Sequence, residues 1–505
     1  MLIKFKDFNK KKQSNILVNE NVGLLIENSI IDENMPNKIK AAINFIKDII
    51  NGTEWEGKVF LAGGVVRDEI MGNDPNDIDL LINAQNGGIL FAEWITKKLG
   101  IYKNSINPVI YPVFGTAMFS LRKQQYNGID ISNVEIECIM PRKEKYEKGS
   151  RDPSVSVGTL KDDVDRRDFT VNSLLKNLTS SEILDLTGMG IDDIKNGIVR
   201  TPLDPDVLFS EDPLRMLRAI RFSVKYNWDL PMFMLKSIRK NSKKIEYISA
   251  ERIQKELNKM LITGNPDKAI RILQITKLSK YIFPELDKLK RLKQNKYHKD
   301  DVMGHTLEVL KNTPPDLITR LSALFHDIGK YKTQEIIDNE IHFYTHEEIG
   351  AHLAKDILRR LHYPKEIINA VYIAIENHMR TKQVGDDAII SDKALRKLQQ
   401  DLGPHLQHTL DLIHADNISH AEFANMPNQI PKIRKRYDEL ENIYKESPKK
   451  PPIDGKDVMN IIGLSIGGPI VGRILSMIQD IYLEDPSLSK EELINIVKKI
   501  YKKIK

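Results

Sequence analysis

One stretch constrains this chain more than any other: Val59-Phe60-Leu61-Ala62-Gly63-Gly64-Val65-Val66-Arg67-Asp68, followed shortly by Asp77-Ile78-Asp79-Leu80-Leu81-Ile82. An apolar run ends in two glycines, and a helical stretch carrying Arg67 and Asp68 comes next. Two carboxylates then stand one residue apart at the head of a second apolar run. Alternate residues of a strand point to the same side, so Asp77 and Asp79 are expected to project together. They would do so beside a glycine turn whose backbone N–H groups can approach a phosphate closely. Paired carboxylates next to a phosphate cradle suit two divalent metals and in-line displacement at phosphorus. The competing reading is a tight strand–helix turn with an exposed acidic strand start. It accounts for two glycines, which serve many turns, but not for the whole combination at this interval.

At 505 residues the chain should divide into several domains, and 41% hydrophobic content is enough to build their cores. A formal net charge of +6 is compatible with a nucleic-acid partner without demanding one. The single cysteine, Cys138, excludes an intramolecular disulfide and fits a reducing cytoplasm. No apolar run approaches membrane-span length. The opening MLIKFKDFNKKKQSN lacks the apolar segment and cleavage site of a signal peptide. Histidine placement says more: all 12 lie between His298 and His420, which marks out a module with its own chemistry.

In chain order, the polar, lysine-rich first 35 residues read as a weakly structured lead-in, and Pro36 to Asn51 as an amphipathic helix. A helix is expected from Gly88 to Leu99, and strands over Val109 to Arg122 and Val134 to Met140. In the second of these strands Glu135 and Glu137 share a face, so either could add a third carboxylate. Lys143 to Asp165 has too little apolar content to pack and reads as a mobile loop. Arg166-Arg167 offers guanidinium forks to phosphates. Glu211-Asp212-Pro213 reads as a helix start, which would place Asp212 and Arg215 on one face. Ser249 to Leu261 reads as a capped helix.

GGVVRD, DID, RRDFTVNSL, SEDPLRMLRAIRF and SAERIQKEL follow one another over roughly residues 55 to 265. In this order they resemble the class II CCA-adding tRNA nucleotidyltransferases and their bacterial poly(A) polymerase relatives. The resemblance implies an α+β architecture: a polymerase β-like nucleotidyltransferase head with a mixed sheet, then all-α neck, HD and tail domains. It implies Mg²⁺ on Asp77 and Asp79, with Glu137 as the third acidic residue. It assigns nucleotide contacts to Gly63, Gly64, Arg67, Arg167, Asp168, Asn172, Asp212, Arg215 and Arg218, with Asp212 and Arg215 reading the base. CTP and ATP would be the substrates and tRNA the partner, with no membrane; the oligomeric state is left open. Phe114-Gly115-Thr116-Ala117 and a full-length loop before Arg166 resemble the CCA enzymes, whereas the poly(A) polymerases carry basic residues at the former. Two departures stand out: Asp185-Leu186-Thr187-Gly188 where the family has Asp-Pro-Phe-Gly, and Ser173 where it has alanine. The alternatives are a poly(A) polymerase, or an RNA-binding phosphohydrolase with an inactive head.

From His298 onward, His305, the His326-Asp327-Ile328-Gly329-Lys330 run, His346, His378 and Asp416 lie on successive helical stretches. Imidazole and carboxylate ligands so arranged suit one or two divalent metals. The pattern resembles the HD phosphohydrolase superfamily. That likeness implies metal-ligand roles for His305, His326, Asp327 and Asp416, with His346 and His378 for a second ion, such as Ni²⁺, Mn²⁺ or another transition metal. The competing reading is a degenerate HD fold that only positions tRNA. His342, His352, His362, His405, His408 and His420 receive no role. The lysine-rich tail ending in Lys498 to Lys505 resembles the tRNA-contacting end of CCA enzymes. The expected division is an extension over 1–35, a head over 36–203, a neck over 204–290, an HD domain over 291–425 and a tail over 426–505.

Overall fold

The computed structural model describes residues 35–103, 107–145, 154–295, 297–298, 300–382, 385–386, 390–446, 451–485 and 488–504. The lead-in before residue 35, the middle of the 143–165 segment and Lys449-Lys450 lie outside the described residues. The chain forms two compact units. One comprises residues up to 145 with 154–165 and 172–190; the other comprises 166–171 and the chain from 191 onward.

The first unit is built on a seven-stranded mixed sheet. Its spatial order is Ile183–Leu184, Leu175–Asn177, Val59–Ala62, Ile78–Ile82, Glu135–Ile139, Thr116–Ser120 and Val109–Tyr111. Only the Ile78–Ile82 and Glu135–Ile139 strands run parallel; the other neighbours are antiparallel. Val59–Ala62 is buried at every residue, as a strand covered on both faces must be. The Met35–Ile50 helix buries Ile39, Ala42, Ile46 and Ile50, a stripe at helical spacing. A second helix, Gly87–Lys98, lies so close to the sheet that a Cβ at Gly88 would sit 2.5 Å from the Cys138 carbonyl oxygen.

Two expectations need correction here. Val109 to Arg122 is not one strand: Pro112–Phe114 forms a 3₁₀ turn, Gly115 takes φ 60°, and Tyr111 pairs back on Thr116. Proline removes a ladder donor and glycine supplies the left-handed turn, which together outweigh the apolar content around them. The flanks of the 143–165 segment are also ordered. Arg142–Lys145 pairs antiparallel with Ser154–Val157, and a helix follows from Leu160 to Asp165. Backbone pairing needs little apolar content, so composition missed it.

Helices dominate the second unit, with one exception to the all-α expectation. Gln334–Ile337 and Glu340–Phe343 form a hairpin whose two turn residues, Asp338 and Asn339, take φ 52° and 63°. Aspartate and asparagine tolerate that region best, so the pair makes a two-residue turn. The last three helices, Gly455–Ile462, Pro469–Glu484 and Lys490–Ile504, share a core that includes Val458, Ile474, Ile478, Leu493 and Val497. Asp454 and Asp457 close a reciprocal capping box at its start.

Arg320 is a polar anchor inside this unit. It is buried, and its guanidinium donates to the carbonyls of Leu261, Thr263 and Thr313, groups that the ends of the preceding helices leave without partners. Arg320→Met keeps the apolar stem and strands those oxygens, so a loss of about 2–4 kcal/mol in urea unfolding is expected. A loss below about 1 kcal/mol would mean that water satisfies the carbonyls instead.

Candidate functional site

In the head, the Val59–Ala62 strand stops at Gly63, whose φ of 73° and ψ of −124° suit glycine alone. Its N–H is committed to the Leu174 carbonyl at 3.2 Å, so it is a pivot rather than a donor to a ligand. Gly64 opens the Gly64–Ile70 helix, which carries Arg67. Arg67 is buried and forked onto Asp68, with Nε and Nη2 at 2.9 and 2.7 Å from Oδ1. Its Nη1 donates to Asn172 Oδ1 at 2.6 Å. Arg67 and Asn172, both expected at the nucleotide, are thus brought together as a brace behind the glycine turn.

The carboxylates stand on the adjoining strands. Asp77 is exposed one residue ahead of Ile78–Ile82, and Asp79 is half-buried between the buried Ile78 and Leu80. In the parallel pairing Asp79 lies directly opposite Glu137, and the same register carried one step back from Ile78 and Ile136 brings Glu135 level with Asp77, which stands ahead of the strand. Opposed residues of paired strands share a face, so both glutamates stand on the side of the aspartates, and Glu137 is the one whose partner lies within the ladder. Beneath them burial, then the charges of Glu137 and Asp79, push the Cys138 thiol well above its ordinary value, so it offers no thiolate. The remaining donors are hard oxygens, which fit Mg²⁺.

The departure at 185–188 is braced differently from a proline turn. Asp185 Oδ1 accepts from the Thr187 N–H at 3.2 Å and hydroxyl at 2.7 Å. Thr187 Oγ1 in turn accepts from the N–H groups of Met189 and Gly190 at 3.1 and 3.2 Å. Ser173 donates to the Val164 carbonyl at 3.2 Å.

Within the second unit Asp168 is clasped by Arg218, with Nε and Nη2 at 2.8 and 2.5 Å from Oδ2. Arg167 is half-buried in the segment just before it. The helix start expected at Glu211 is corrected. Glu211 ends the Pro205–Glu211 helix, Asp212 is extended at φ −132°, and the next helix runs from Leu214 to Tyr226. Asp212 therefore does not share a helical face with Arg215. Its Oδ1 caps the Leu214 N–H at 3.1 Å, and its Oδ2 lies 3.3 Å from Arg252 Nη2. Arg215 is buried and donates to the carbonyls of Leu208 and Arg166 at 3.3 and 2.6 Å and to Glu211 Oε2 at 3.4 Å. Among the described residues its Nε–H and one Nη2–H have no protein partner. Arg252 was missed by sequence reasoning, although it stands in the quoted SAERIQKEL. Ser249 holds the N-cap position of Ala250–Leu261 without a side-chain cap bond.

The histidine module closes into one buried site. His305 sits in the second turn of Val302–Asn312 rather than at its start, and His326 and Asp327 follow Leu317–Phe325. His346 opens a helix, His378 follows Lys365–Glu376, and Asp416 lies in Leu406–Ile418. His305 Nε2 is 2.9 Å from Asp416 Oδ1 and 3.9 Å from Asp327 Oδ2. His326 and His346 Nε2 stand 3.3 and 3.5 Å from the two Asp327 oxygens, and His346 and His378 Nε2 are 3.3 Å apart. A Cβ at Gly329 would collide with the His346 carbonyl, which is why glycine follows the histidine–aspartate pair so closely.

Protonation is arranged for metal. The Nδ1 atoms of His326, His346 and His378 face the carbonyls of Ala323, Phe343 and Ile375 at 2.8, 2.8 and 2.6 Å. Each donates there. Burial holds His346 and His378 toward the neutral ring, which leaves Nε2 as a lone pair, whereas for His326 burial is outweighed by Asp327, which raises it in the absence of an ion. Burial pushes His378 down to about 3, so its ring is neutral. Burial raises Asp327 and Asp416, but His326 and Lys330 act on the first and Lys382 on the second, and both stay well below the carboxylate range. His326 Nε2 is buried with no hydrogen-bond partner, as a ligand atom awaiting an ion would be. Among the described residues, triads of ligand atoms within 4.8 Å of one another occur only here, and two of them are His305–His326–Asp327 and Asp327–His346–His378. Asp77, Asp79 and Glu137 are set at wider spacing. Elsewhere in the module, His362 pairs with Glu251 at 2.6 Å and His408 with Asp316 at 3.0 Å.

Residues 59–200 match the poly A polymerase head domain, 234–290 the probable RNA- and SrmB-binding site of polymerase A, and 302–419 the HD domain. A tRNA nucleotidyltransferase of Schizosaccharomyces pombe is 26% identical over 89% of this chain and 93% of its own. The CCA-adding enzyme of Ligilactobacillus salivarius is 27% identical over 93% of this chain and 99% of its own. Among solved structures, the Bacillus stearothermophilus CCA-adding enzyme in complex with CTP has a TM-score of 0.58 at 19% identity, covering 92% of this chain and 98% of that one. At that identity the likeness carries the fold. Among the described residues no helix is long and apolar enough to cross a membrane.

Proposed function

We propose that this chain, a member of the poly(A) polymerase head-domain family with an HD domain, completes the 3′ end of tRNA by adding cytidylate and then adenylate. One observation carries the reading: Asp79 opposite Glu137, beside the glycine pivot, in a chain similar along nearly its whole length to a CCA-adding enzyme. Asp77 and Asp79, with Glu137 assisting, would hold Mg²⁺. When bound, the ions supply a 3′-hydroxyl of lowered pKa and neutralise the charge on the leaving pyrophosphate. The tRNA 3′-oxygen forms its bond to the α-phosphorus of the nucleotide, the bond to pyrophosphate breaks, and the hydroxyl proton is released. The Gly63–Gly64 turn, without side chains, lets the triphosphate approach the backbone, and Arg167 contacts its phosphates. A lone, buried Cys138 accords with work in a reducing cytoplasm.

Base choice falls to Asp212 and Arg215. Cytosine and adenine both present an exocyclic amine beside an unprotonated ring nitrogen, whereas uracil and guanine present a carbonyl beside a ring N–H. A carboxylate that accepts and a guanidinium that donates therefore admit C and A and reject U and G. Asp212 Oδ2, engaged only by the long contact to Arg252, is the acceptor, and the uncommitted hydrogens of Arg215 are the donors. Asp212→Ala is expected to lower C and A incorporation about 10- to 100-fold and to erode discrimination against UTP and GTP, since each base contact is worth about 1–3 kcal/mol. Wild-type fidelity in both Asp212→Ala and Arg215→Ala would refute this assignment.

The function is tested with tRNA lacking its 3′ end and each nucleotide supplied singly. CTP alone should extend the product by two residues, and ATP should then add one. A poly(A) polymerase would incorporate almost nothing from CTP alone. For the HD site we propose a phosphohydrolase or 2′,3′-cyclic phosphodiesterase dependent on Ni²⁺ or Mn²⁺, metals that imidazole ligands favour over Mg²⁺.

A further inference from the structure

We infer a further transition-metal position at the rim of the HD site, held by His298, His305 and His420. His298 and His420 lie outside the set of six ligands described above. One nitrogen from each of the three rings lies within 4.8 Å of the others, and the ring centroids stand 4.6, 4.8 and 5.2 Å apart. Three imidazoles at that spacing suit Zn²⁺, Ni²⁺ or Co²⁺.

The bracing of the two outer rings repeats that of the inner ligands. His298 Nδ1 faces Asn295 Oδ1 at 3.1 Å, and His420 Nδ1 faces the Asp416 carbonyl at 2.7 Å. Both acceptors require an N–H, so both rings present Nε2 as a lone pair, the arrangement that fixes metal-ligating histidines. The two segments are also pinned together: the Ala421 N–H donates to the Tyr297 carbonyl at 2.9 Å, and Tyr297 packs on Phe423. His305 belongs to both the outer and the central triad, and its Nδ1 is buried without a hydrogen-bond partner. With one ion bound the ring serves that ion, and with both it would bridge them as an imidazolate, its remaining proton released to solvent. Positive charge is already drawn to this spot. The Lys382 ammonium lies 2.7 Å from Asp416 Oδ2 and 3.5 Å from His420 Nε2, and a bound cation would displace it. His298 and His420 are half-buried whereas the inner ligands are buried, so the outer position is the more open to solvent.

The inference rests on the HD reading only through the shared His305. It is tested by dialysing the full chain, stripped with chelator, against Co²⁺ and counting bound metal by mass spectrometry. His298→Ala/His420→Ala should bind one equivalent fewer than wild type and lose part of the visible Co²⁺ absorption. His326→Ala/His378→Ala should keep that part. The Gln counterparts of the outer pair retain a donor for Asn295 and Asp416 and should show the same deficit with native thermal melting and nucleotide addition. Equal metal counts in wild type and both outer variants would overturn the proposal. An absence of phosphoester hydrolysis with a one-equivalent difference would overturn the HD reading and leave the outer site standing.

Discussion

Asp79→Asn should reduce CMP incorporation into trimmed tRNA by about a thousandfold or more, because metal stabilisation of a phosphoryl transition state is worth several kcal/mol. The substitution preserves the shape of the side chain and removes its charge. Asp79 is half-buried at the edge of a strand that buries every other residue, so the sheet should tolerate the change. Binding of tRNA should stay within a few-fold of wild type, since affinity for nucleic acid comes from many dispersed phosphate contacts. Register sharpens the test. Glu137→Gln, opposite Asp79 within the ladder, should lower the rate more than Glu135→Gln, which is level with Asp77 ahead of the strand. Single-turnover incorporation at saturating Mg²⁺ measures all three. An Asp79→Asn rate within tenfold of wild type would remove that residue from the site, and equal effects at 135 and 137 would undo the register argument.

What the sequence made legible follows from how local each signal is. The glycine turn and the Asp77–Asp79 pair are read from two short neighbouring stretches, Val59 to Asp68 and Asp77 to Ile82, and alternation in a strand is a property of the backbone alone. Alternation left Glu135 and Glu137 equivalent and the family resemblance singled out Glu137; its pairing with Asp79 comes from the parallel register, which no run of residues encodes by itself. The Asp212–Arg215 pair was misplaced because Pro213 breaks the helix between them, so a spacing of three no longer means one face. Confinement of the histidines to one segment gave the module but not its membership. His298 and His420 are brought to His305 by a loop and a helix end, and nothing in their own neighbourhoods distinguishes them from His362, which pairs with a surface glutamate.

The HD site yields the second large effect, and its geometry decides which variant reads it cleanly. Asp327 is buried and ion-paired to Lys330 at 2.8 Å, so Asp327→Ala would strand a buried ammonium at a cost of about 3–5 kcal/mol. Loss of activity would then be indistinguishable from loss of fold. His378 is neutral and bonded only to the Ile375 carbonyl and the His346 ring, so His378→Ala removes a ligand without exposing a charge. Hydrolysis of a 2′,3′-cyclic phosphate with Ni²⁺ should fall about a hundredfold or more, as loss of groups that orient a metal already costs 10- to 100-fold. Nucleotide addition by the same preparation should be unchanged, because Asp77, Asp79 and Glu137 belong to the other compact unit. The measurement is cyclic-phosphate turnover against CMP incorporation, across a series of divalent metals. If wild type hydrolyses no cyclic phosphate or phosphoester with any of them, the helices hold a degenerate HD site that serves only to position tRNA.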